Sequence, residues 1–147
     1  PMFPLYYNGE TKFTPIHCSD LADTICHIIS KNIHSKIIEC VGSEVISLKQ
    51  ILKRLLKLIN KNRLLIPLPF FAANMSAKLF QLFPKPLLTV DQLVLLKYDN
   101  ISSNKYQTNS DVGVPSTRLF DQEVEKYCYM WREGGQFSTK KYNPTNS

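Results

Sequence analysis

The densest run of reactive side chains is His17-Cys18-Ser19-Asp20, which sets a base, two nucleophiles and a carboxylate in succession. Such groups form a transfer or hydrolytic centre only when they converge in space. Neighbours crossing from a strand into a helix point in different directions, so the expected role is structural, with Asp20 as helix cap and His17 as strand residue. Asp23 and His27 stand at i, i+4 on the same helix, a spacing that can present two metal ligands. Two ligands without a third do not make a zinc site, and an ordinary surface pair is the favoured reading. Cys18, Cys26, Cys40 and Cys128 lack C-x-x-C spacing and are too scattered for a disulfide scaffold, which suits a reducing compartment. The five glycines, at 9, 42, 113, 134 and 135, build neither G-x-G-x-x-G nor a P-loop. A dinucleotide's pyrophosphate therefore has no glycine-rich helix N-terminus in this chain. No catalytic, cofactor-binding or metal-ligating residue is assigned.

The elements that must position these groups follow from periodicity. Asn8-Gly9 between Leu5-Tyr-Tyr and Thr11-Lys-Phe13 predicts a hairpin with a type I′ turn. Leu21, Ile25, Ile28 and Ile29 then recur at helical spacing to about Lys31. Lys36–Val41 reads as a short strand stopped by Gly42. Ser47 and Gln50 form a capping box, with Leu48, Ile51, Leu52, Leu55, Leu56 and Ile59 behind it and Lys49, Lys53 and Lys57 on the opposite face. Leu64–Ile66 is a strand ended by Pro67 and Pro69.

A helix is expected over Phe70–Phe83, and Thr89 with Gln92 caps another through Leu93, Leu96 and Lys97. Ser102–Asp111 is polar and turn-rich. A last helix over about Ser116–Arg132 is expected to bury Phe120, Val124, Tyr127, Cys128 and Trp131, ended by Gly134-Gly135. Four polar residues stand out as structure-fixing or interface candidates. Asp91 falls in a helix's first turn, where a carboxylate favours the dipole, and Gln92 follows it. Asp99 and Asn100 suit the turn beyond.

At 147 residues and 44% hydrophobic, the chain is one globular domain's worth. A chain of this size buries roughly 68–70% of its unfolded surface. Few short strands beside many apolar helices, and a start at Pro1, suggest a fragment whose sheet lies largely upstream. No signal-peptide pattern opens it. The net charge of +6 is unevenly spread: Val45–Val90 holds eight cations and no acid. Such a lobe can meet nucleic acid, anionic lipid or an acidic protein. Fourteen of the eighteen basic residues are lysine, and no aromatic interleaves with them from Val45 to Pro69, which argues against nucleic acid. The apolar stretch from Leu64 is cut by prolines and is too short to span a membrane.

Several segments resemble a known family. Thr14-Pro-Ile-His17-Cys-Ser-Asp20-Leu-Ala22 is similar to the P-[IV]-[HY]-V-x-D-V-A segment of extended and atypical short-chain dehydrogenase/reductases. Ile38-Glu-Cys-Val-Gly42-Ser-Glu-Val-Ile-Ser47 resembles the last-strand segment that follows it there. More narrowly, five segments occur in order: Leu65-Ile-Pro67-Leu-Pro69-Phe, Pro84-Lys-Pro-Leu-Leu-Thr89-Val-Asp91-Gln92-Leu, Leu95-Leu-Lys97-Tyr-Asp99-Asn100, Val112-Gly113-Val-Pro115-Ser-Thr117, and Tyr127 through Trp131-Arg132-Glu-Gly-Gly-Gln136. Together they resemble the C-terminal half of the NAD(P)H-binding accessory subunit of respiratory complex I (alpha-subcomplex subunit nine) and its bacterial homologues, over about residues 1–137. Cys18 stands where the family usually has Val, and Ser43-Glu44 replaces a Gly-Pro pair. No tyrosine has a lysine four residues later, so the Tyr-x-x-x-Lys couple of the dehydrogenases is absent.

The resemblance implies an α/β chain that is the C-terminal part of an extended Rossmann-type short-chain dehydrogenase/reductase without its glycine-rich half. Residues 1–46 would hold the hairpin, a helix and the last Rossmann-type strand; residues 47–137 a mainly helical subdomain; residues 138–147 a flexible tail. The implied function is a non-catalytic part of a complex I accessory or assembly protein, docking near the quinone module. NADPH or NADH would bind the full-length parent upstream, with no cofactor in this chain. Implied partners are the N-terminal Rossmann half and peripheral-arm subunits. The implied location is the mitochondrial matrix side of the inner membrane or its bacterial cytoplasmic counterpart. Two alternatives stand beside this. One is the substrate-binding half of an NAD-dependent epimerase/dehydratase acting on a sugar nucleotide. The other is a peripheral module that meets an anionic membrane through the lysine-rich helix 47–62 and the apolar segment 64–83.

Overall fold

The computed structural model describes residues 2–68, 90–132 and 134–137, with the side chain of Val90 left aside. The expected helix at 70–83, the cap at Thr89 and the tail lie outside the described residues.

These residues form a mixed α/β structure of four helices and three two-stranded sheets. Strand β1 (Met2–Tyr6) leads through a 3₁₀ turn, Tyr7–Gly9, to β2 (Lys12–Phe13) and helix α1 (Cys18–Ser30). Next come β3 (Ile38–Glu39), β4 (Ile46–Ser47), α2 (Leu48–Leu58) and β5 (Leu64–Leu68). Helix α3 (Val90–Leu95), β6 (Gln107–Thr108), α4 (Phe120–Cys128) and a 3₁₀ turn, Tyr129–Trp131, complete the order.

The expected hairpin does not form. Tyr7, Asn8 and Gly9 do take left-handed φ values of 50°, 58° and 68°, as Asn-Gly invites. The flanking runs, however, pair elsewhere. β1 lies parallel to β5 from Met2↔Leu64 to Tyr6↔Leu68, and β2 lies antiparallel to β4. A side chain at Gly9 would approach the Lys49 Cβ to 2.9 Å, so this turn abuts the start of α2 rather than closing a ribbon.

Pro67 does not end its strand either. The register sets Pro4 against Ile66 and Pro67 against Leu5. Alternate residues of a parallel strand face the partner, so both prolines can turn their missing N–H to the outer edges. β3 pairs in parallel with β6, a short strand inside the stretch expected to be polar and turn-rich.

Helix α2 carries the expected capping box, with Ser47 and Gln50 bonding reciprocally to each other's backbone N–H. Helices α1 and α2 both stop against a left-handed asparagine, Asn32 and Asn60. Helix α4 starts at Phe120, four residues later than expected. Asp20 Oδ2 accepts the Arg118 N–H at 3.2 Å and Glu44 Oε1 accepts the Phe120 N–H at 3.3 Å, which holds the preceding backbone extended. Val124 and Cys128 are buried as expected, whereas Tyr127 and Trp131 stay half exposed.

The buried apolar side chains among the described residues are Leu5, Tyr6, Ile46, Leu93, Val124 and Cys128. The face of α1 is rotated from the expected one. Asp20 and Thr24 point inward, while Ile25 and Ile29 are 48% and 70% exposed. No helix among the described residues is long and apolar enough to cross a membrane.

Candidate functional site

At the start of α1, His17 rather than Asp20 is the cap. Its Nδ1 accepts the Ser19 N–H at 3.2 Å. A neutral ring accepting at Nδ1 carries its proton on Nε2, which lies 3.7 Å from Glu123 Oε2. Cys18 Sγ is 4.0 Å from both ring nitrogens. A thiol in line with one nitrogen's lone pair would be markedly farther from the other, so this is not a Cys–His couple. Asp20 is buried and turned to Arg118, whose guanidinium it pairs with; the same guanidinium reaches Asp23 Oδ2 at 3.2 Å. The hydrogen bonds that its guanidinium donates to Asp20 and Asp23 hold the Arg118 pKa above its ordinary value.

This cluster therefore joins α1 to α4 electrostatically. Lys126, bonded to both Glu123 carboxylate oxygens, keeps Glu123 below the ordinary carboxylate range, so it stays an anion. Burial pushes the Cys40 and Cys128 thiols up, away from the thiolate a nucleophile needs. The pair Asp23 and His27 finds no third ligand: among the described residues no group of three His, Cys, Asp or Glu could hold a metal ion.

The four polar candidates separate. Asp91 lies in the first turn of α3, exposed and without a side-chain partner among the described residues. Gln92, Asp99 and Asn100 line one recess with Phe13, Leu95, Leu96 and Tyr98, a space of about 730 Å³. Asp99 Oδ1 accepts the Lys12 N–H at 2.8 Å, and the Asn100 N–H donates to Lys12 O at 2.8 Å. Thr14 N–H returns a bond to Asn100 O at 3.1 Å, and the Thr11 hydroxyl donates to Leu96 O. Asp99 and Asn100 thus tie the segment Lys12–Thr14 to the end of the α3 segment.

Sequence reasoning passed over Asn109 and Glu39. Asn109 is fully buried in the turn after β6. Its Oδ1 accepts the Val41 N–H at 2.9 Å, and its Nδ2 donates to Val114 O and Ser116 Oγ, each at 3.0 Å. Glu39 Oε2 accepts from the Ser102 hydroxyl at 2.7 Å and the Ser103 N–H at 2.8 Å. A lone Asn or Glu beside turn residues gives no sequence signal, because Val41 lies 68 positions from Asn109, and Ser102 and Ser103 lie 63 and 64 from Glu39.

Two surfaces face water. On α1, Cys18, Ala22, Ile25, Cys26 and Ile29 are all exposed and uncharged, and they fall within an arc of about 100°. On α2, Lys49, Lys53 and Lys57 line a concavity of about 740 Å³ together with Lys61, Arg63, Leu56, Leu64 and Leu65.

Comparison with known proteins finds no matching family model and no matching curated protein.

Proposed function

We propose that this chain is the non-catalytic C-terminal part of a NAD(P)H-binding accessory or assembly protein of respiratory complex I, with the nucleotide held by an N-terminal Rossmann half. The observation that carries the reading is the uncharged exposed stripe of α1. A helix of a mixed α/β unit normally buries such a stripe against a sheet. Here Ile25 and Ile29 lie 48% and 70% exposed. Covering both would contribute on the order of 2–3 kcal/mol. The N-terminal half is the cover proposed, and the assembled protein would dock on the peripheral arm near the quinone module.

The alternative of a sugar-nucleotide enzyme calls for arginines aimed into a cleft. Arg54 is taken by Glu44 and Asp121, Arg118 by Asp20 and Asp23, and Arg132 by Glu125 and the Leu58 carbonyl. Three of the four arginines thus serve the fold, which weighs against that reading.

The test is co-expression with the upstream half, comparing the native sequence with Ile25→Glu/Ile29→Glu. Unchanged circular dichroism of this chain together with lost association supports the proposal. A variant that still associates overturns it.

A further inference from the structure

We infer that the concavity between the C-terminal half of α2 and the start of β5 is a docking site for an anionic phospholipid surface. The inference is independent of the reading above, since it uses a different face of the chain.

Its first support is charge without compensation. Lys49, Lys53, Lys57, Lys61 and Arg63 line the concavity, with Asn60 and Asn62 between them. Among the described residues, none of the five cations lies within ion-pair distance of a carboxylate, and the ion pairs of those residues all lie elsewhere. Five uncompensated like charges repel one another, an arrangement relieved when anions approach.

The second support is shape. Lys49 to Lys57 spans two turns of α2, about 12 Å, and the loop cations extend the array. One phosphate is too small to meet such an array, whereas adjoining lipid headgroups meet it together. Long lysine side chains suit a diffuse anionic surface; planar bidentate recognition would call for arginine. Among the described residues, the lining holds no aromatic ring on which a nucleic-acid base could stack.

The third support is the apolar rim. Leu64 lines the concavity and is 66% exposed, and its register partner Met2 is 69% exposed. Exposed apolar side chains flanked by lysines are what an interfacial contact uses, the chains entering the acyl boundary while the cations meet phosphates.

The experiment is co-sedimentation of the full chain with vesicles of phosphatidylcholine alone and of phosphatidylcholine mixed with phosphatidylserine. Binding to the mixed vesicles alone, weakened by salt, is expected. Lys53→Gln/Lys57→Gln/Lys61→Gln should lower the partition coefficient about 100-fold, at roughly fivefold per lysine. Lys31→Gln/Lys97→Gln/Lys105→Gln removes equal charge elsewhere and should leave binding intact, as circular dichroism confirms the fold of both variants. Leu64→Gln should weaken binding at fixed lipid charge. Equal loss in the two lysine triples overturns the inference, as does displacement by inorganic phosphate at the concentration of lipid phosphate, which would mean a site for the free anion. Binding to an acidic polypeptide such as polyglutamate with no binding to mixed vesicles overturns it in favour of an acidic protein partner.

Discussion

Asn109 and Val41 lie 68 positions apart, yet the carboxamide oxygen of the fully buried Asn109 takes the Val41 N–H at 2.9 Å. The same side chain closes its own turn through Val114 and Ser116, and Ser116 Oγ returns a bond to Val41 O at 2.7 Å. A single amide therefore fixes the short β3–β6 pairing, which has only two residues on each strand.

Asn109→Ala leaves the Val41 N–H and the Val114 carbonyl without this partner in a buried setting. The expected loss is about 2–6 kcal/mol, from a desolvation cost of about 1–3 kcal/mol for each of the two abandoned groups. Asn109→Asp keeps the acceptor but turns a carboxylate oxygen on the Val114 carbonyl in a buried site, and should cost at least as much as Asn109→Ala. Urea unfolding of all three checks the order.

The Arg118 triad predicts an asymmetry. Arg118→Ala strands the buried Asp20 carboxylate and should cost about 3 kcal/mol. Asp20→Ala leaves Arg118 a third exposed and still able to reach Asp23, so about 1–2 kcal/mol is expected. Asp23→Ala removes an exposed partner and should cost less than about 1 kcal/mol. Equal costs for all three in chemical denaturation would contradict the geometry.

Much of the local structure was legible in the residues. The Ser47–Gln50 box and the left-handed preference of Asn8-Gly9 are short-range effects, decided by side chains three positions apart or fewer. Pairing was not. Asn8-Gly9 allows a hairpin, but β1 finds a five-residue partner in Leu64–Leu68, and no local pattern announces that competitor. The inward face of α1 was misread for a related reason. Asp20 is drawn in by Arg118, 98 positions away, and this turns Ile25 and Ile29 outward. Asp99 and Asn100 could be singled out as turn residues, while their partner segment at Lys12–Thr14 could not.

Glu39 predicts a pH dependence. Hydrogen bonds from Ser103 and Ser102 lower its pKa from the ordinary 4.5. A carboxyl depressed in the folded state adds stability above its ordinary value, and that stability is lost as pH falls through the folded value. Glu39→Gln should therefore lower the melting temperature at neutral pH, with the difference from the native chain shrinking below about pH 4.5. A difference that stays constant down to strongly acidic pH would show that the Glu39 charge contributes nothing.

The central claim is that this half is a structural and docking element whose nucleotide lies in a companion half. It is tested most directly by titrating NADPH into the 147-residue chain and into the same chain extended at its N-terminus by its own upstream sequence. Saturable binding by the longer protein alone is the predicted result. Saturable binding by the 147-residue chain by itself would contradict the account.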